Sequence, residues 1–272
     1  MLASGQAKKH KSKQVESVQI RVLGCSGGIY RGAATTAFRI DDDILIDAGT
    51  GVAGLTLSEL QSVRHVFVTH AHLDHIAAIP LLADSVFDRL VGNPIVVHAR
   101  ESSLKVLRRH IFNSEVWPDF TRLPDSSHAV IRLEAMAPGE QREIGGRLVE
   151  MIAVNHSVPA AGYRVESNGR SIAFSGDTTT NENLWDALNS HGNLDLLFVE
   201  SAFADSDIEL ARAAYHYCPQ LLASDLSRLK HRPQVCITHL KPGEEDLIMQ
   251  QCRDALPGWE LKQLHSGDVF EL

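Results

Sequence analysis

The chain of 272 residues has a formal net charge of −8, and 44% of its residues are hydrophobic. This hydrophobic content is enough for a sizeable core, whereas the acidic balance argues against binding a long polyanion by bulk electrostatics. No hydrophobic run approaches the length of a membrane span. The four cysteines show no CxxC spacing, so we expect a reduced, cytoplasmic protein.

The N-terminal segment, residues 1–16, contains four lysines and no apolar stretch after them. This pattern differs from a secretory signal and predicts a disordered or frayed tail. No low-complexity linker or change of composition divides the remainder, so residues 17–272 are predicted to form a single domain.

The first predicted elements are short strands and one helix. Residues 18–23 alternate as a strand and end in a glycine-rich turn, which lacks the GK[ST] or GxGxxG spacing of a phosphate-binding loop. Residues 38–40 and 44–46 predict a hairpin, and residues 52–61 have helical spacing.

The strongest motif follows the apolar, β-branched run at residues 66–69. Three histidines and one aspartate occur within six positions, at His70, His72, Asp74 and His75. His70 and His72 are two apart, so on extended backbone both imidazoles leave the same face and can bind one metal. Asp74 and His75 follow as the chain turns into a helix, which suits a second metal beside the first. The alternative is a histidine-rich surface loop, but the spacing favours a metal site.

Later strands also end in ionisable residues. The residues at the predicted strand ends are His70, His156, Asp177, Glu200 and His239. This repetition predicts that the strand ends meet at one edge of a layered sheet, where loops on a rigid scaffold carry site residues. Asp47 ends another strand, and we favour it as a hydrogen-bond partner of a metal-bound imidazole over a ligand or a helix cap.

These residues resemble, in chain order, the motifs of the metallo-β-lactamase superfamily. The resemblance implies an α/β fold, the four-layer αββα sandwich, and two divalent metal ions. Zinc is the expected metal, with manganese or iron as alternatives. By resemblance, the first metal is bound by His70, His72, His156 and Asp177, and the second by Asp74, His75, His239 and the bridging Asp177.

A narrower resemblance is to the class II 3′,5′-cyclic-nucleotide phosphodiesterases. It lies in His-x-His-Leu-Asp-His, residues 110–113 with Trp117-Pro118, Glu200-Ser201-Ala202-Phe203 followed by His216 and Pro219, and residues 238–242. The chain departs from that family at Ala78 and at Tyr217-Cys218, which leaves the metal motifs intact. The resemblance implies hydrolysis of cyclic AMP or cyclic GMP to the 5′-nucleotide, and it makes a homodimer a candidate assembly.

Under this interpretation Asp74, Glu200 and His216 are the predicted catalytic residues. His216 is the candidate proton donor to the leaving 3′ oxygen, with Glu200 orienting and charging it, because a departing alkoxide needs a proton. The alternative is that Glu200 caps a helix and His216 is a buried helical residue. Predicted substrate contacts are Asn113, Trp117 and Phe203, with Tyr30, Phe112 and Phe120 as further aromatic candidates for the base.

Four other functions share the predicted metal frame. A ribonuclease Z-like endonuclease for tRNA 3′ ends also resembles the chain in its Glu–His pair, but the acidic composition disfavours a nucleic-acid partner. A thioester or lactone hydrolase would not need Glu200 and His216. Diiron redox members of the superfamily resemble the same motif but have Glu at the position of His72. The imidazole that this chain has there favours zinc. The last alternative is a non-catalytic module that keeps the metals.

Overall fold

The computed structural model describes residues 17–272, so the prediction of a frayed tail over residues 1–16 lies outside the described residues. Two seven-stranded mixed sheets face each other, and helices cover the outer face of each sheet. The predicted α/β fold with four layers is therefore confirmed.

The strands are, in chain order, β1 (Gln19–Gly24), β2 (Ala37–Ile40), β3 (Ile44–Ile46), β4 (His65–Phe67), β5 (Ile95–Ala99), β6 (Ile131–Ala135), β7 (Gln141–Ile144), β8 (Arg147–Val154), β9 (Ala160–Ser167), β10 (Arg170–Phe174), β11 (Leu196–Glu200), β12 (Gln234–Thr238), β13 (Leu261–Gln263) and β14 (Val269–Glu271). The first sheet has the order β14-β1-β2-β3-β4-β5-β6, and the second has the order β13-β12-β11-β10-β9-β8-β7. Strands β3 to β6 are parallel to one another, as are β10 to β13.

The helices are α1 (Leu57–Leu60), α2 (Leu73–Ile76), α3 (Ala78–Ser85), α4 (Phe87–Leu90), α5 (Glu101–Val106), α6 (Asn183–Ser190), α7 (Ile208–Ala214), α8 (Pro219–Leu226) and α9 (Glu245–Ala255). The predicted single helix over residues 52–61 is wrong, because a 3-10 turn at Thr50–Gly54 is followed by a new start at α1. The Thr56 hydroxyl accepts a hydrogen bond from the Glu59 N–H, and the Glu59 carboxylate accepts one from the Thr56 N–H. This reciprocal capping begins a separate helix.

The space between the sheets is filled by apolar side chains from both of them. Phe38 of the first sheet contacts Phe174 and Phe198 of the second, with ring centroids 5.2 and 5.3 Å apart. Burial of each such ring contributes roughly 1.5–3 kcal/mol relative to exposure. The two sheets are thereby held in a fixed relation near the ends of their strands.

The parallel strands bring their carboxyl ends to a common edge. Asp47 directly follows β3, Glu200 ends β11, and His239 directly follows β12. The sheets are linked at this edge, because the Tyr163 hydroxyl donates to the Val68 carbonyl at 2.8 Å. Side chains that lie far apart in the chain are therefore presented together, as the repeated strand-end pattern predicts.

Candidate metal centre

Three imidazoles form the first cluster at this edge. His70, His72 and His156 present ring nitrogens that all lie within 4.8 Å of one another. His156 Nε2 is 3.2 Å from His72 Nδ1, and the His70 ring centroid is 4.7 Å from that of His156. His156 follows β8 in the second sheet, so the cluster is completed across the two sheets.

A second cluster lies beside the first and contains two carboxylates. Its members are Asp74, His75, Asp177 and His239, whose candidate ligand atoms also lie within 4.8 Å of one another. His75 Nε2 is 3.5 Å from Asp74 Oδ2. Asp74 and His75 both belong to α2, and the His75 ring centroid is 4.2 Å from that of His70, so the two clusters adjoin.

Asp177 lies between the clusters. Its Oδ2 is 3.2 Å from His75 Nε2, 3.4 Å from His239 Nε2 and 3.8 Å from His70 Nε2. One carboxylate oxygen thus faces imidazoles of both clusters.

The histidines are oriented by hydrogen bonds on their opposite ring nitrogens. Asp47 Oδ2 lies 2.7 Å from His75 Nδ1, while Oδ1 accepts from the Thr69 N–H at 2.7 Å. His156 Nδ1 donates to the Tyr215 carbonyl at 2.9 Å. Such bonds hold the ring and leave Nε2 for a metal. Asp47 thus contacts His75, and its supporting role there remains a prediction, whereas the Tyr215 carbonyl that contacts His156 has no sequence signal.

The residues fit a pair of divalent cations. His70 Nε2 is buried and has no hydrogen-bond partner among the described residues. Burial lowers the pKa of His70 well below its usual value and that of His239 to about 4, which favours the neutral ring that a ligand needs. Burial acts in the same direction on His75, but the carboxylates of Asp177 and Asp47 outweigh it and raise the pKa of that ring, so a metal there would have to displace a proton. A mixed set of imidazoles and carboxylates suits zinc, manganese or iron.

A buried glutamate–histidine pair adjoins the clusters. Glu200 Oε1 accepts from His216 Nδ1 at 2.7 Å and from the Thr178 N–H at 2.9 Å. Burial opposes a charge on His216, but the carboxylate of Glu200 outweighs it and raises the imidazole pKa. His216 also lies within 4.8 Å of ligand atoms of His156 and Asp177. The pair can therefore hold a proton at the centre.

The alternative reading of this pair as a helix cap and a helical residue is wrong. His216 lies in the linker between α7 and α8, and Glu200 ends a strand. The second carboxylate oxygen of Glu200 accepts from the N–H groups of Ala202 and Tyr217 at 3.1 and 3.3 Å. These bonds fix the carboxylate without capping a helix.

Of the predicted substrate contacts, the structure brings only Phe203 to the clusters. The centroid of the Phe203 ring is 5.8 Å from that of His216. Lys241 Nζ lies 5.4 Å from the same Phe203 centroid. Lys241 was not predicted as a site residue, and because His239 has φ 61° after the end of β12, the strand spacing rule could not have indicated it. It also donates to the Gly27 carbonyl at 3.3 Å. A cation thus lies beside the aromatic ring.

The other predicted contacts are engaged elsewhere. The Asn113 side chain accepts from the N–H groups of Glu115 and Val116 and so closes its own turn. Trp117 packs against the outer core of the first sheet, in which Phe112 and Phe120 are buried. Within residues 17–272, no hydrogen bond, ion pair or ring contact joins Asn113 or Trp117 to the clusters.

Comparison with known families agrees with this geometry. The family model described as a beta-lactamase superfamily domain matches residues 42–240. The chain belongs to this superfamily. The matched range begins before β3 and ends just after His239, so it contains both clusters and the glutamate–histidine pair.

Curated relatives of the chain include a probable cyclic-nucleotide phosphodiesterase and a ribonuclease Z. A probable 3′,5′-cyclic-nucleotide phosphodiesterase of Yersinia pestis is 25% identical over 210 residues, which cover 67% of this chain and 58% of that protein. A ribonuclease Z of Treponema denticola is 27% identical over 168 residues, which cover 56% of this chain and 49% of that protein. The chain thus spans roughly half the length of these relatives.

The fold is shared with solved members of the superfamily. Unliganded yeast PDE1 superposes with a TM-score of 0.79 at 18% identity, covering 95% of this chain and 100% of that chain. No helix within residues 17–272 is long and apolar enough to cross a bilayer, and the four cysteines are free thiols.

Proposed function

We propose that this superfamily member is a dinuclear-metal phosphodiesterase that hydrolyses 3′,5′-cyclic nucleotides to 5′-nucleotides. The observation that carries the proposal is the buried Glu200–His216 pair beside the two clusters, with His216 Nδ1 2.7 Å from Glu200 Oε1. A hydrolase that expels a sugar alkoxide needs such a proton source. The Yersinia relative, described as a probable cyclic-nucleotide phosphodiesterase, supports the same substrate class.

The proposed ligands follow the two clusters. His70, His72, His156 and Asp177 would hold one cation, and Asp74, His75, His239 and Asp177 would hold the other. When bound, the two cations would supply Lewis-acid activation of water and of the phosphoryl oxygens. Asp47 keeps His75 oriented, and the acidic chain acquires a local positive centre that attracts one phosphate group.

The protein's own groups complete the reaction through a proton transfer. The oxygen of water forms a bond to phosphorus, and the bond from phosphorus to the 3′ oxygen breaks. His216 donates its Nε2 proton to the departing 3′ oxygen, while Glu200 stabilises the imidazolium through Nδ1. The proton released by water restores His216, so the sum is one water consumed and one 5′-nucleotide formed. We further propose that the reaction takes place in the cytoplasm.

A ribonuclease Z-like activity is the second candidate, since the Treponema relative is described as a ribonuclease Z. A polynucleotide substrate would need basic surface to neutralise its phosphates. The net charge of −8 supports the smaller substrate instead.

The test is hydrolysis of cyclic AMP, cyclic GMP and a tRNA precursor by the zinc- or manganese-loaded protein. We expect cyclic-nucleotide hydrolysis, and a fall of about 100-fold or more in kcat on His216→Ala with unchanged metal content. The matched control is His128→Ala, which removes an exposed histidine paired with Asp125. Processing of the tRNA precursor without cyclic-nucleotide hydrolysis would establish the second candidate and refute the first.

A further inference from the structure

A groove adjoins the first cluster at His72. We call it the α5 groove, because α5 and the turn after it form one wall while the loop between β8 and β9 forms the other. It has a volume of about 340 Å³. The side chains that matter for its chemistry are His72, Ser103, Val106, His110, Val158 and Pro159.

The groove shares His72 with the candidate metal centre. His72 lines it and also lies 3.2 Å from His156 in the first cluster. A substrate whose phosphate lies at the clusters can therefore extend its organic part past His72 into the groove. No predicted substrate contact from the sequence is among its lining residues.

The walls suit a flat ring that has polar atoms at its edge. Val106 on one side and Val158 and Pro159 on the other supply apolar faces. Within residues 17–272, neither the Ser103 hydroxyl nor the His110 imidazole has a hydrogen-bond partner, so both are available to a ligand. Small-molecule sites gain affinity from contacts between ring faces and apolar walls. They fix orientation through hydrogen bonds from the edge of the ring to polar groups such as a hydroxyl or an imidazole.

Size and charge favour one nucleobase over a polynucleotide. The volume lies near the lower end of the range for small-molecule sites, about 300–1,000 Å³. None of the lining residues is lysine or arginine. Arg108 of the adjoining turn lies within 3.6 Å of Glu101 and lines a different cavity. The groove therefore offers ring contacts without contacts to a chain of phosphates.

We propose that the α5 groove binds the nucleobase of the substrate and that Val106 and Val158 determine specificity for a base-bearing cyclic phosphate. The assignment rests on the proposed function. It moves the expected base contact from Trp117 to the wall formed by α5.

The experiment fills the groove and compares substrates with and without a base. Val106→Trp and, from the opposite wall, Val158→Trp are assayed with cyclic AMP and with methyl riboside 3′,5′-cyclic phosphate, which has the same reacting bonds. We expect each variant to lower the preference for cyclic AMP, measured as the ratio of kcat/KM values, about tenfold, chiefly through KM. Calorimetric titration with 5′-AMP should show a similar loss of affinity.

Lys105→Trp is the matched control, because Lys105 is exposed on the same helix and does not line the groove. Melting temperatures establish that the variants fold. If Val106→Trp does not fold, Val158→Trp alone provides the test. Unchanged cyclic AMP preference and 5′-AMP affinity in a folded groove variant would overturn the groove assignment while leaving the proposed function intact. A different result would overturn both the groove assignment and the proposed function. In that case the wild-type protein does not hydrolyse cyclic AMP, and Val106→Trp raises KM for an acyl thioester.

Discussion

Glu200 Oε1 lies 2.7 Å from His216 Nδ1, and both residues are buried beside two clusters of metal-type ligands. The carboxylate also accepts three backbone N–H groups, at 2.9, 3.1 and 3.3 Å. A buried carboxylate with this many donors is held rigidly, so the imidazole that it orients is held as well. The pair is therefore built to keep one protonated ring at a fixed position.

Replacing Glu200 by glutamine removes the negative charge and nearly retains the volume. We expect kcat for cyclic nucleotides to fall about 100-fold or more, because His216 loses the charge that raises its pKa. Steady-state kinetics with metal analysis check this expectation. Glu182→Gln is the control, since Glu182 forms a surface ion pair with Arg228. Wild-type kcat in Glu200→Gln would remove the pair from the mechanism.

The Asp47 carboxylate should govern metal affinity through His75. It binds His75 Nδ1, the Thr69 N–H and the Thr69 hydroxyl at 2.7–2.8 Å. Asp47→Asn should weaken zinc binding by about 10–100-fold, the loss usual for such supporting groups. Competition with a chromogenic chelator measures the affinity. The exposed Asp186 provides the control substitution, Asp186→Asn. Equal zinc affinity in Asp47→Asn and the wild type would refute the role.

The turn that ends α7 should tolerate glycine but not a β-branched residue. Tyr215 has φ 60° and ψ 47°, and its carbonyl accepts from His156 Nδ1 at 2.9 Å. Glycine adopts this left-handed conformation without strain, so Tyr215→Gly should keep both stability and zinc affinity. Tyr215→Val should lose about 1–2 kcal/mol of stability and weaken zinc binding. Urea unfolding and chelator competition test the pair, and equal behaviour of the two variants would contradict the expectation.

A histidine outside the clusters should make stability depend on pH. His98 is buried and stacks on Phe67 with ring centroids 4.4 Å apart. Its Nε2 lies 3.0 Å from His65 Nδ1. Burial lowers the pKa of His98 to about 3, with His65, Arg142 and Arg132 acting in the same direction. Below pH 6.5 the unfolded chain binds a proton here that the folded chain rejects, so stability falls as the pH drops from 6.5 towards 3.

This contribution is at most about 1.4 kcal/mol per pH unit. His98→Gln keeps a neutral hydrogen-bonding side chain and should abolish this pH-dependent contribution to stability. Urea unfolding at pH 7 and pH 5 should show that the wild type loses more stability than His98→Gln between the two. Parallel losses would show that His98 is protonated equally in both states.

The sequence predicted the cluster residues because their signal is local. His70 and His72 lie two apart just after an apolar strand, His239 directly follows β12, and Asp177 lies three residues after the end of β10. The helix break at Thr56 was missed, because helical spacing continues across it and only the reciprocal bonds with Glu59 reveal the new start. The Tyr215 carbonyl was missed for a different reason, since a backbone group carries no mark in the side-chain pattern.

The predicted role of Trp117 shows the limit of composition. An aromatic residue near site motifs can stack on a base or pack in a core, and the choice depends on where the intervening turn directs it. Here Asn113 closes that turn on its own backbone, and Trp117 packs against the outer core of the first sheet. The α5 groove could not be predicted, because its walls come from segments that meet only in the folded chain.

The most direct test of the central proposal is the reaction of the protein with cyclic AMP in ¹⁸O-labelled water, followed by ³¹P NMR. We expect 5′-AMP with one ¹⁸O on phosphorus, formed by protein that holds two divalent ions per chain. Protein that holds both ions and leaves cyclic AMP intact, or yields 3′-AMP, would contradict it.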